Sequence, residues 1–387
     1  MFAFRFLTVL SILSLMAVVG YSQVTINATM VNNSTIKSTA NVVNNSTLNA
    51  PGTLDVDGNL TNAGTLDNTG TILMGGDWTN TGTYSGDGVV NFLGTNRQNI
   101  DMRGGTFSVL AINGGGTKVL ATDANISGAL ELIDGVIEIT GGNSDLLILQ
   151  NATITGGSPN SYVDGALFMD LTGLSSADFP IGKNGVYLPI MLDNIDASGE
   201  HGFEAIGNNL ASSDEFDRVA PRHWERIEFG GTWNSSDVTL PVLGDEEFQD
   251  FDNVTIAEAP DRSTNITAVA SSFSGGNTIS SLEPVSQRFI TIGEIGIPLV
   301  VMNVLTPNGD TQNEYLHIQN IEFFSNTEVK VINRWGIEVF SMTGYSNTDP
   351  GRRWNGEVDG KFASPGNYIA IVKADNKTVK QTVSVIR

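Results

Sequence analysis

The 387-residue chain contains no cysteine. That removes disulfides, thiol nucleophiles, Cys-based zinc sites and lipid attachment through an N-terminal cysteine, so packing and hydrogen bonds alone must hold the fold. Basic residues are scarce as well: 20 Lys plus Arg stand against 42 Asp plus Glu, a formal net charge of −22. A phosphate backbone or an anionic membrane surface would be repelled, which excludes nucleic acid as a partner. The only histidines are His201, His223 and His317, none at metal-ligand spacing from another. No Gly-rich phosphate loop opens a helix, and long helical periodicity is absent. After Val19 no segment is apolar enough to cross a bilayer as a helix.

What remains is a chain with 43 glycines, 16% charged and 40% hydrophobic residues, and Asn and Thr crowded into its first third. This is an all-β composition, and the length allows two or three domains. At the start, one Arg within Met1–Arg5 precedes an apolar run, Phe6 to Val19, that is too short to span a membrane comfortably. Small residues Gly20 and Ser22 follow. A secretory signal peptide over 1–22 is expected, with cleavage between Ser22 and Gln23.

From Val24 an apolar residue recurs at every sixth position: Val24, Met30, Ile36, Val42, Leu48, Leu54, Leu60, Leu66, Ile72, Trp78, Tyr84, Val90. Two residues before each, from Met30 onward, stands a small residue, running from Ala28, Ser34, Ala40 and Ser46 to an unbroken glycine series, Gly52 to Gly88. A strand this short can bury its apolar side chain only against the equivalent residue of the next coil, which predicts a parallel β-solenoid over 23–158. A finer period of 18 aligns Asn44, Asn62 and Asn80, and likewise Val56, Met74 and Phe92, so three hexads make one coil. Past Val90 the period loosens, but strand-like runs continue at Phe107–Ile112, Val119–Ala121, Ala129–Ile139 and Leu146–Gln150. Single threonine columns, Thr35, Thr53, Thr71 and Thr47, Thr65, Thr83, lack the paired threonines that ice binding needs. The residues two further on are Lys37, Asp55, Leu73 and Asn49, Asp67, Ser85.

Over 159–297 the texture changes to longer alternating strands with polar loops, and a β-sandwich is expected. Phe179–Gly182 and His223–Arg226 stand out there and read as packing, with a buried Trp224 and an edge-strand Pro180. Adjacent carboxylates Glu246 and Glu247 read as surface charge, since neighbours on a strand point to opposite faces.

The last unit, 298–387, carries the most specific signal. Thr306-Pro307-Asn308-Gly309-Asp310 opens it, Asn333-Arg334-Trp335-Gly336 turns between two strands, and Trp354-Asn355-Gly356 and Pro365-Gly366-Asn367-Tyr368 follow. Gly and Asn at turns with alternating apolar residues predict a small Ig-like β-sandwich. The motif set resembles the type B sorting domain of the type IX secretion system, also called the gliding motility-associated C-terminal domain, in Bacteroidota. The resemblance implies export through the signal peptide, translocation directed by this domain, and surface retention at the outer membrane with a PorP/SprF-family protein. It makes Thr306–Asp310, Asn333–Gly336, Trp354, Gly356, Gly366 and Tyr368 the sorting-motif residues. One departure from the family pattern follows Asp310, where Thr311, Gln312, Asn313 and Glu314 stand. Asn308, Asp310 and Glu314 keep oxygens at alternating positions, a candidate Ca2+ ligand set, against the alternative of a turn held by Asx side chains.

The functional expectation is a secreted, non-enzymatic surface protein, adhesin-like or surface-structural. Two alternatives stay open. One is a carbohydrate-binding protein with its site on the sandwich or on a solenoid face around Trp78 and Tyr84. The other is a secreted polysaccharide-degrading enzyme, for which the solenoid offers only Lys37, Arg97, Arg103 and Lys118 as basic groups.

Overall fold

The computed structural model describes residues 16–18, 23–139, 146–149, 151–211, 215–248, 250–274, 277–375 and 377–386. The expected signal peptide and Ser22 lie outside the described residues, apart from Met16–Val18, whose backbone runs parallel to Thr35–Ser38. Gln23 begins the strand Gln23–Ile26. The chain divides into two compact units, Met1–Ile295 and Gly296–Arg387.

The hexads form a three-faced parallel solenoid. One face stacks Gln23–Ile26, Asn41–Asn44, Leu60–Asn62 and Trp78–Asn80. A second stacks Thr35–Ser38, Thr53–Val56, Thr71–Met74 and Val89–Phe92, and the third Met30–Val31, Thr47–Ala50, Thr65–Asn68 and Thr83–Ser85. Each apolar hexad residue faces its counterpart 18 positions on, as with Leu48 and Leu66, or Leu54 and Ile72. Each fully buried Leu contributes roughly 1.5–3 kcal/mol relative to exposure. In the first coil Val24, Met30 and Ile36 are only partly buried.

Two devices hold the coils in register. Inside, Asn44 Nδ2 donates to Asn62 Oδ1 and Asn62 Nδ2 to Asn80 Oδ1, both at 2.7 Å, in a buried ladder along the axis. At the corners the backbones approach closely: a Cβ added to Gly64 would lie 2.0 Å from the Ser46 carbonyl oxygen, and one on Gly82 as close to that of Gly64. At these corners a side chain would run into the backbone of the coil before it, so glycine is required there.

Beyond Val90 the coils lengthen. Gly105–Leu120 and Ala124–Ile139 each bend through successive faces, pairing Phe107 with Ile126, Leu110 with Leu130 and Leu120 with Ile139. At one corner the buried Lys118 donates to the carbonyls of Gly94 (2.7 Å) and Gly115 (2.5 Å), and burial lowers its pKa. Parallel stacking then runs on past residue 158: Leu146–Ile148 pairs with Leu167–Asp170, and Val163–Asp164 with Ile181–Lys183. The solenoid makes about eight turns, on the order of 40 Å at about 4.8 Å per coil.

A last coil would leave an apolar surface and an open backbone edge. Here the sheet changes direction instead. Leu167–Asp170 and Ser176–Phe179 pair antiparallel with Ile190–Ile206, which pairs along its length with His223–Pro241. One hydrophobic core runs from Ile26 of the first coil to Ile292 of this antiparallel layer. Trp224 is buried in it, donating its indole N–H to Leu188 O at 3.0 Å. The Glu246–Glu247 expectation needs correction. Gly244–Glu246 is a single 3-10 turn that directs Glu246 inward, where it is buried against Arg222. Burial pushes its carboxyl up to about 7, with the Arg222 charge opposing the shift.

The second unit is built on a five-stranded sheet in the order Val304–Leu305, Lys377–Val385, Gly366–Ala374, Thr327–Ile332, Glu338–Thr343. Two short antiparallel pairs complete it, Val300–Val301 with Ile318–Gln319 and Glu357–Val358 with Lys361–Phe362. Its own core gathers Leu305, Leu316, Val329, Trp354, Tyr368 and Val383.

Candidate functional site

The expected motif residues of the second unit fall into two places. The first is a cleft of about 550 Å³ into which both Pro307–Gly309 and Asn355 project. Thr306–Asp310 is shaped by its own hydrogen bonds: Thr306 N donates to Asn313 O (2.8 Å) and Thr306 Oγ1 to Gln312 O (3.0 Å). Asp310 N donates to Asn308 Oδ1 (3.0 Å), Gln312 N to Asp310 Oδ1 (2.8 Å), and Asn308 Nδ2 to Asp310 Oδ2 (3.0 Å). These bonds, the Gln312 N–H first, hold the Asp310 carboxyl below its ordinary range. The loop is thus a turn built on Asx side chains. The Asn308 amide oxygen and both Asp310 oxygens accept from within the loop, while Glu314 Oε1 is buried and accepts from nothing.

Trp354 and Tyr368 support this cleft from beneath. Trp354 is buried, stacks edge-on against Tyr368 at 5.6 Å, and donates its indole N–H to Glu357 O at 3.0 Å. Tyr368 donates its hydroxyl proton to Ser364 O at 2.9 Å. Gly356, at φ +79°, lies against Leu305 and Pro307, where a side chain would be both strained and crowded. Gly366, at φ +148°, opens the strand that carries Tyr368. Four cleft residues were not singled out from the sequence: Tyr315, Arg353, Glu357 and Phe362. The Arg353 guanidinium lies 3.9 Å over the Tyr315 ring and donates to Asn347 O at 2.8 Å. Tyr315 comes from one segment and Arg353, Glu357 and Phe362 from another around the short Glu357–Val358/Lys361–Phe362 hairpin, so no single local pattern marks them.

The second place is the hairpin tip between Thr327–Ile332 and Glu338–Thr343. Asn333 Oδ1 accepts from the backbone N–H groups of Trp335 and Ile337, both at 3.0 Å, and Gly336 takes φ +78°. Trp335 is left 69% exposed and Ile337 60%, with Arg334 stacked 4.2 Å over the indole. The tip contributes no side chain to the cleft lining.

In the first unit the structure corrects one expected site. Trp78 is fully buried and offers no face to a sugar, while the partly buried Tyr84 packs beside it with Phe107, ring centroids 5.4–5.7 Å apart. Burial pushes the Tyr84 hydroxyl up to about 12. His201 and His223 are buried against backbone carbonyls, and His317 lies in the other unit beside Tyr315. Each basic residue of the solenoid has a partner within it: Lys37 with Asp55 and Asp57, Arg97 with Glu138, Arg103 with Asp101, and Lys118 with the two carbonyls above. Among the described residues no three His, Cys, Asp or Glu side chains are grouped to hold a metal ion, and no helix is long and apolar enough to cross a membrane.

Residues 299–386 match the family model described as the CHU_C type IX secretion signal domain. None of the curated proteins and none of the solved structures matches the chain. A type IX secretion signal domain makes this an exported protein, secreted or at the cell surface, that engages the type IX machinery.

Proposed function

We propose that the exported chain works at the cell surface as a non-catalytic, adhesin-like or surface-structural protein, retained at the outer membrane by a PorP/SprF-family partner. The observation that carries this reading is the solenoid itself. Its outward side chains form straight columns, Thr35–Thr53–Thr71 and Thr47–Thr65–Thr83, on a stack in which Lys37, Arg97 and Arg103 sit in surface ion pairs and Lys118 is bonded to backbone carbonyls. Such a body supplies extended surface rather than a reacting centre. An elimination or hydrolysis of polysaccharide would need a free base or acid facing a groove, and the pairing of Lys37, Arg97, Arg103 and Lys118 weighs against that alternative. The hairpin tip at Arg334 and Trp335 is the feature of the second unit best suited to meet the export machinery.

A second reading, a glycan-binding surface, draws on one feature. A cleft of about 270 Å³ between Asn125, Leu147 and Phe168 of the solenoid face and Phe229 of the long antiparallel hairpin also contains Asp123. Phe229 is 58% exposed and stands edge-on to Phe168 at 5.4 Å, so an aromatic face and polar groups share one concavity. Surface labelling of cells carrying the full chain, beside cells carrying a chain truncated after Pro298, tests the main reading. Only the full chain is expected at the surface, and equal labelling of both would overturn the role given to the second unit. Binding on a neutral-glycan array that is lost in Phe229→Ala would shift the function to the second reading.

A further inference from the structure

The negative charge of the chain is unevenly placed. Residues 296–387 hold nine Lys plus Arg against nine Asp plus Glu, so the whole formal charge of −22 is carried by residues 1–295. Within the second unit, strand alternation sorts the cations further. Val329, Val331, Ala370, Val372 and Val383 turn into the core, so the residues between them lie on the opposite face of the sheet. Register places Lys330 beside Ile371 and Ile371 beside Lys380 in one row of that face, and Ile332 beside Ile369 and Ile369 beside Thr382 in the next. Ile369 is 41% exposed, and Ile332, Ile369 and Ile371 all stand outside the core. The second row adjoins the hairpin tip, where Trp335 and Ile337 are exposed. Glu328 answers Lys330 and Lys373 at 3.0 and 3.7 Å, and Glu338 lies 3.9 Å from Lys330. Among the described residues Lys380 and Arg334 join no ion pair, and Arg334 rests on the Trp335 ring. An apolar cluster in water with cations at its edge has the apolar centre and polar rim of a protein interface.

We propose that this outward sheet face, with the hairpin tip beside it, docks a protein of the type IX machinery whose matching surface is apolar at its centre and carries carboxylates where Lys380 and Arg334 meet it. The proposal rests on the type IX reading of this unit and adds the contact surface and the chemistry of the partner. A second copy of the chain fits less well, since pairing the face with itself sets lysine against lysine. An anionic lipid surface would meet the same cations, but it would repel the −22 carried by the attached first unit.

The test is surface display of the full-length chain carrying Ile369→Thr and Lys380→Glu together, with thermal unfolding of the purified protein. Ile369→Thr keeps a β-branched residue on the strand, and Lys380→Glu reverses an exposed charge. The expectation is at least about tenfold fewer displayed copies, matching about 1.4 kcal/mol of lost contact, with an unfolding midpoint within about 2 °C of the parent. Lys361→Glu makes the same reversal on an exposed residue outside the five-stranded sheet and should leave display unchanged. Wild-type display of the double variant overturns the proposal, as does an equal fall with Lys361→Glu, or a fall accompanied by a lowered midpoint in the double variant. Co-sedimentation of the full chain with phosphatidylglycerol vesicles, lost in Lys380→Glu, would overturn it in favour of a lipid surface. The chain truncated after Pro298, run alongside, separates the two levels. If it is lost while the double variant is displayed, only the docking face fails; if it is displayed too, the sorting role itself fails.

Discussion

Substituting Asn62 by Ala probes the solenoid at its centre. The side chain is fully buried and makes three hydrogen bonds: it accepts from Asn44 Nδ2 (2.7 Å) and donates to Asn80 Oδ1 (2.7 Å) and Thr83 O (2.9 Å). Alanine would leave one N–H and two oxygens buried without partners. Taking about 1–2 kcal/mol, the lower part of the range, for each of these three neutral groups, the cost should be about 3–6 kcal/mol. In a unit of this size that is a fall of roughly 10 °C in the unfolding midpoint. The assay is calorimetry or urea unfolding of the full chain, with the outward-facing Thr61→Ala as a control expected within about 0.5 kcal/mol of the parent. Because Asn44 and Asn62 share one bond, Asn44→Ala and Asn62→Ala should be non-additive by about 1–2 kcal/mol in a double-mutant cycle. A midpoint within about 2 °C of the parent, or strictly additive losses, would refute the view that the amide ladder holds the coils together.

Other expectations follow from the same geometry. Gly64→Ala places a Cβ 2.0 Å from the Ser46 carbonyl oxygen and should destabilise the first unit by more than about 3 kcal/mol, since backbone on both sides must part; urea unfolding measures it. Replacing Arg334 and Trp335 together by Ala should change stability by less than about 0.5 kcal/mol, as both are exposed, yet reduce surface display; normal display would remove the hairpin tip from recognition. Burial alone would raise the Glu225 carboxyl, but hydrogen bonds from Arg262 and Arg288, each at 2.6 Å, outweigh it and hold the group below its ordinary value. A depressed folded-state pKa stabilises above the unfolded value and is lost as pH falls through the folded one. Glu225→Gln should therefore flatten the loss of stability between about pH 5 and about pH 3, which unfolding midpoints across that range would register.

How far the sequence reads through depends on the distance over which each feature is written. The hexads are local, and each strand meets its counterpart at a constant offset, so coil size, register, the Asn44–Asn62–Asn80 column and the inward side chains were all legible before any coordinates. The corner residues were legible too, although the reason for glycine at Gly64 and Gly82 came from the backbone of the coil beneath. The motifs around Thr306, Asn333, Trp354 and Tyr368 were readable for a related reason: turns demand particular residues at particular places.

Tertiary structure decided the rest. Continued parallel stacking to Lys183, and its closure by the antiparallel hairpin, depend on pairings between strands whose spacing is irregular, as between Ile137 and Val163 or Leu146 and Leu167. Trp78 and Tyr84 looked like sugar platforms because a hexad pattern does not say which aromatic finds a cluster; packing against Phe107 put Trp78 inside and left Tyr84 partly buried. Glu246 turned inward because a single 3-10 turn replaced the strand that the alternation rule assumed. The cleft of the second unit brings Glu314 together with Arg353 and Phe362 from a separate segment, and no sequence period links them. Repetition and turn chemistry act over a few residues and leave their mark in the sequence; the ends of a stack and the walls of a cleft are made by segments that meet only once the chain has folded.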